Sequence, residues 1–144
     1  MRERSRLDLC NCFATRQAAR HVTRLYEKHL AQADVTSAQF SILVILDEKR
    51  RASMNELAVA LVMDRTTLLR AVKPLQRDGL VAAKRGEGDG DPRQVSFSLT
   101  PAGRNKLKAA MPRWMSAQQE FEAQIGAARA ARLRSDLLAL ELPA

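Results

Sequence analysis

The sequence predicts a mainly α (α+β) fold, a winged helix-turn-helix set between long terminal helices. Three observations predict it. Apolar residues recur at helical spacing over six segments, and two short alternating, strand-like runs lie between the fourth and the fifth. The third and fourth helical segments are short and joined by a tight turn at Val62-Met63, which is the pattern of a helix-turn-helix. A hairpin follows the second of them directly and so takes the place of a wing. The 144 residues suit one domain (1–144), with a winged lobe at about 36–99 and flanking helices at about 7–33 and 100–142.

Residues 7–33 read as one long helix with no internal Gly or Pro, its stripe carried by Leu9, Phe13, Ala19 or Arg20, Val22 or Thr23, Tyr26 and Leu30. Thr36 and Gln39 form a capping box for the second helix, whose inner side is Ala38, Ile42, Ile45 and Leu46, and which stops near Lys49-Arg50-Arg51. Ser53 and Glu56 cap the third, with Leu57, Ala58 and Leu61 as its apolar face. Asp64 caps the fourth, which runs to Asp78 and ends at Gly79, where a left-handed residue is needed. Pro74 lies inside it and predicts a bend. The strand-like runs are Leu80–Arg85 and Val95–Leu99, joined by a Gly-rich tip. Thr100-Pro101 opens a helix reaching about Ala123 with a kink at Pro112, and a last helix from Ala127 to about Leu140 carries Leu133, Leu137 and Leu140 on one face.

The net charge is +8, and such a field attracts polyanions, so nucleic acid or an anionic membrane surface are the natural partners. No apolar run approaches the ~20 residues that span a bilayer, and the charged start Met1-Arg2-Glu3-Arg4-Ser5-Arg6 is not followed by a signal-peptide core. The expectation is a cytoplasmic protein without membrane contact, its Cys10 and Cys12 reduced. No phosphate-binding loop, Gly-x-Ser-x-Gly elbow, His-Glu-x-x-His or dinucleotide fingerprint is present, so an enzyme is not expected. The spacing of Cys10, Cys12, His21 and His29 matches no compact zinc pattern, and no metal or other cofactor is expected.

On the fourth helix Leu68, Val72 and Leu75 form the inward set, leaving Arg65, Thr66, Thr67, Arg70 and Lys73 outside. Arg can bond guanine O6 and N7 together, Thr can bond a base edge or touch a thymine methyl, and Lys73 suits a phosphate. In the wing, Lys84 and Arg85 lie on the first strand and Arg93 opens the second; an Arg on a narrow loop reads minor-groove width and potential. Asp91, two residues before Arg93, is spaced to orient its guanidinium. Duplex DNA is the partner these residues fit. The alternative is a winged-helix protein-interaction module whose basic face is merely solvated.

The wing run Asp91-Pro92-Arg93, then five residues, then Leu99-Thr100 resembles the D-x-R-x5-L-T signature of the MarR family of multiple-antibiotic-resistance-type regulators. Asn55-Glu56-Leu57-Ala58, Met63-Asp64-Arg65-Thr66-Thr67-Leu68 and Leu75-Gln76-Arg77-Asp78-Gly79-Leu80-Val81 are similar to its helix-turn-helix, and Arg16-Gln17-Ala18-Ala19-Arg20 and Thr36-Ser37-Ala38-Gln39-Phe40 to its first two helices. Pro74 and the Gly-rich wing depart from the pattern. The resemblance implies a homodimer whose first and last two helices interlock, a palindromic operator, Arg93 in the minor groove, and a repressor released by a small ligand or thiol oxidation. Cys12-Phe13 and Tyr26 fall where the organic-hydroperoxide-sensing branch carries a reactive Cys and a Tyr partner; a second Tyr of that branch falls at Arg16. The alternative makes Cys12 a small core residue. The same resemblance places a small-molecule effector between the dimer helices and the DNA-binding lobe, with Arg16, Arg20 and His21 as anchors for a carboxylate.

Overall fold

The computed structural model describes residues 5–86 and 92–143. Among them the chain forms α1 (Asn11–Leu30), α2 (Ser37–Lys49), β1 (Ala52–Ser53), α3 (Met54–Leu61), α4 (Arg65–Arg77), β2 (Val81–Arg85), β3 (Val95–Leu99), α5 (Pro101–Ile125) and α6 (Ala127–Leu138). Short 3-10 turns at Arg6–Leu9 and Ala31–Ala33 flank α1. None of these helices is long and apolar enough to cross a membrane.

The caps form where the sequence places them. Thr36 with Gln39 and Ser53 with Glu56 make reciprocal boxes, Asp64 accepts the Thr67 amide, and Thr100 accepts the Gly103 amide ahead of Pro101 at the first helical position. Each box satisfies two backbone donors that a helix start otherwise orphans.

Three expectations are corrected, and one strand is added. The long helix 7–33 is broken at Cys10, which is extended and caps α1 by accepting the Phe13 amide at its Sγ, 3.4 Å away. Leu9 therefore falls off the stripe and is 77% exposed. The buried side of α2 centres on Phe40, Ile42, Leu43 and Leu46, with Ala38 and Ile45 only half-buried. β1, two residues long, was not anticipated; it pairs Ala52 with Phe97 and Ser53 with Ser96. Finally, α6 ends at Leu138, so Leu140 lies beyond it. Helices α4 and α5 run unbroken through Pro74 and Pro112.

The sheet is antiparallel in the order β1-β3-β2, and β2 pairs with β3 from Val81 opposite Leu99 to Arg85 opposite Val95. One core joins Leu30, Phe40, Leu43 and Leu46 to Leu57, Leu68, Val72 and Leu75 and to Phe97, Leu99 and Leu107. It welds the helix-turn-helix to the root of the hairpin, and α5 packs along both α1 and α2. The two long helices are also tied by polar pairs. The Tyr26 hydroxyl donates to Gln118 Oε1, and the Glu120 carboxylate binds His29 and lies 3.8 Å from Lys28. Burial, then the Glu122 charge, pushes the Tyr26 hydroxyl pKa up, while the His29 bond holds Glu120 below the usual carboxylate range.

Candidate nucleic-acid interface

Helix α4 is amphipathic in the way a groove-reading helix requires. Leu68, Val72 and Leu75 are buried against the core, and Arg65, Thr66, Thr67, Arg70 and Lys73 are all exposed. Its first turn is organised by Asp64, whose Oδ1 accepts the Thr67 amide and whose Oδ2 accepts the Thr67 hydroxyl, both at 2.8 Å. The amide first and the hydroxyl second hold the Asp64 carboxyl below its ordinary range. The Thr67 hydroxyl proton is thereby committed to the cap. What Thr67 can offer outward is its methyl and a lone pair, a narrower role than the sequence suggests.

The wing is positioned from below. Gly79, at φ +71°, reverses the chain after α4, a conformation that a side chain would strain. Thr100 then clamps this corner: its Oγ1 donates to the Gly79 carbonyl at 2.6 Å, and its amide donates to the Leu80 carbonyl at 3.1 Å. Gly103 packs so closely there that a Cβ would sit 2.0 Å from the Leu80 carbonyl oxygen. Neither Gly103 nor the Thr100 clamp was anticipated, although a lone glycine three residues after a helix cap is a readable signal of close backbone approach.

Toward the tip, Lys84 and Arg85 are exposed on β2, and the Gly86 amide donates to the Gln94 carbonyl at 3.2 Å. Arg93 is exposed in the turn before β3. Asp91, expected to orient it, lies outside the described residues.

Helix and wing share a face. A hollow of about 570 Å³ opens between them, lined by Asn55 of α3, Arg65 and Leu69 of α4, and Arg93 and Gln94 of the wing, over a floor that includes Phe97. Two guanidinium groups from segments 28 residues apart (93 minus 65) thus border one concavity. Arg70, Lys73 and Arg85 are exposed but do not line it.

The other sequence-predicted residues are not assembled. Cys12 is exposed, so it is not part of this chain's own core, and it stands in the first turn of α1. Tyr26 is ~21 Å further along the same helix. Arg16, Arg20 and His21 are exposed on α1 and line none of the described cavities.

Residues 33–90, which span α2 to the first wing strand, match the family model described as the MarR family. The crystal structure of the M. tuberculosis transcriptional regulator MosR in complex with DNA is 36% identical, covers 89% of this chain and 92% of its own, and superimposes with a TM-score of 0.75. The chain belongs to the MarR family. Among curated relatives, the HTH-type transcriptional regulator TtmR of Methylorubrum extorquens is 37% identical over 73% of this chain and 52% of its own length. The organic hydroperoxide resistance transcriptional regulator of Bacillus subtilis is 30% identical over 64% of this chain and 61% of its own length. The chain thus spans about half to three-fifths of these two curated relatives. Membership agrees with the observed element order, in which the helix-turn-helix formed by α3 and α4 is followed at once by the β2–β3 wing.

Proposed function

We propose that this MarR-family chain is a cytoplasmic, homodimeric transcriptional regulator that binds a palindromic operator in duplex DNA and represses until an effector releases it. The observation that carries the reading is the shared hollow bordered by Arg65 of α4 and Arg93 of the wing. A helix presenting Arg and Thr to the major groove and a wing Arg reaching the adjacent minor groove divide base reading from shape reading. Dimerisation is supported by Leu133, Leu137 and Leu138, which stay 41%, 48% and 76% exposed in the single chain, a patch that a second copy would cover. The test is fluorescence anisotropy with a labelled duplex carrying an inverted repeat, with half-sites roughly 34 Å apart. Binding should weaken steeply with salt, because several phosphates are neutralised, and residues 127–144 should be needed for both dimer and complex. Salt-independent or absent binding would favour the protein-interaction alternative.

Release by thiol oxidation is favoured by one contrast. Cys10 is occupied as a helix cap, whereas Cys12 is exposed. On this reading peroxide weakens DNA binding, Cys12→Ser abolishes the response and Cys10→Ser keeps it. Tyr26 would have to exchange its Gln118 contact to meet a partner's Cys12. Equal responses of wild type and Cys12→Ser would refute it.

A further inference from the structure

A cleft of about 460 Å³ lies between α2 and α5, within the usual size of small-molecule sites. Its walls are Phe40 and Val44 of α2 and Met111 and Trp114 of α5, and the Phe40 and Trp114 rings stack with centroids 6.1 Å apart and planes inclined by 20°. Its rim carries Asp47 and Glu48, both exposed. Among the described residues no Lys, Arg or His lines it.

The placing of the two carboxylates is informative because the fold does not favour it. They occupy the last turn of α2, where the helix dipole presents its negative end and disfavours acidic side chains. Neither is ion-paired to a described residue. The cations nearest in sequence, Lys49, Arg50 and Arg51, are exposed and are not among the residues that line the cleft, and Arg104, at the start of α5, donates to the Leu99 carbonyl at 3.3 Å. An aromatic wall, two carboxylates and a helix C-terminus converge on one apolar cavity, and all attract positive charge.

We infer that the cleft between α2 and α5 accepts a small aromatic cation, the opposite charge from the carboxylate that Arg16, Arg20 and His21 led the sequence to suggest. The rings stack on Phe40 and Trp114, and the cationic centre lies at the Asp47–Glu48 rim. The inference rests on the effector reading above for its biological sense, but cation binding to the protein alone is measured without DNA, so the two can fail separately.

Trp114 is the only tryptophan in the chain, so its fluorescence reports this cleft. Full-length protein is titrated with tetraphenylphosphonium and, as the shape-matched anion, tetraphenylborate, by Trp114 quenching and by calorimetry. The expected result is saturable quenching by the cation and about a tenfold loss of its affinity in Asp47→Asn/Glu48→Gln, the order expected for two solvent-facing charge contacts. The anion should quench more weakly than the cation in the wild type, and the preference should narrow in the double variant. Both substitutions are exposed, and an unchanged melting temperature verifies the fold. Absent cation binding, unaltered cation affinity in the double variant, or tighter quenching by the anion would each overturn the inference.

Discussion

Gly103→Ala tests whether the wing is set by a backbone contact rather than by its own hairpin. In an ordinary helix interior the change would stabilise by about 1 kcal/mol through propensity. Here the added Cβ would lie 2.0 Å from the Leu80 carbonyl oxygen, 3.0 Å from its carbon and 3.3 Å from Leu99 Cδ2. The nearest obstacle is backbone, which cannot rotate away. The first turn of α5 must retreat by about 1 Å or more to reach a tolerable separation. Overpacking of this kind costs roughly 1–3 kcal/mol, occasionally more. The same Leu80 oxygen accepts the Thr100 amide at 3.1 Å, a bond whose loss adds about 0.5–1.5 kcal/mol. Set against the propensity gain, the net destabilisation is about 0.5–3.5 kcal/mol. For a chain of this size that lowers the melting temperature by roughly 2–12 °C. Circular dichroism melting measures it, with Ala102→Gly as the control: Ala102 is exposed one position earlier and should show the propensity cost alone. DNA affinity should also fall at temperatures where Gly103→Ala is still folded, because the wing root shifts relative to α4. A variant as stable as wild type, or more so, would refute the reasoning.

Three further outcomes are expected. Arg93→Ala should weaken duplex binding strongly, most on A·T-rich flanks, and leave the melting temperature nearly unchanged because an exposed charge contributes little to folding; unchanged affinity would remove the wing from the mechanism. Val62 is a β-branched residue at φ +51°, 93% exposed, in the turn before α4, so Val62→Asn should relieve about 1 kcal/mol of left-handed strain without losing buried surface and raise the melting temperature by a few degrees. A fall would mean that Val62 makes a contact outside this chain's own core. Asp64 has its folded pKa lowered by the Thr67 bonds, so its contribution to stability is complete above the ordinary carboxylate range near pH 4 and is lost as pH falls through that range to the lowered value. Urea unfolding as a function of pH should therefore show a smaller acid-side decline in Asp64→Asn than in wild type, and identical profiles would contradict the cap.

Much of this molecule is written locally. Helix caps at Thr36, Ser53, Asp64 and Thr100 depend on residues three apart, and the inward stripe of Leu68, Val72 and Leu75 depends on helical period, so both can be read without knowing what packs where. The outward set of Arg65, Thr66, Arg70 and Lys73 follows as the complement of that stripe, and the Arg93 turn from its place between two alternating runs. What the tertiary structure alone decided are the features whose partners are distant in sequence. Ala52 and Ser53 become a strand only because β3 supplies a free edge 43 residues later (96 minus 53), too short a run to show alternation by itself. The break at Cys10 was local but weakly signalled, since a thiol is a poor helix cap and the surrounding stripe favoured continuity. The α2–α5 cleft has Asp47 and Glu48 at its rim, which no periodicity marks, because the sign of a cavity's charge is set by which faces the packing turns toward it. Gly103 could be seen as an anomaly in a helix, yet its purpose appears only when the Leu80 carbonyl is brought against it. Sequence periodicity says which side of an element is inside, whereas only the packed chain says which backbone atom waits there.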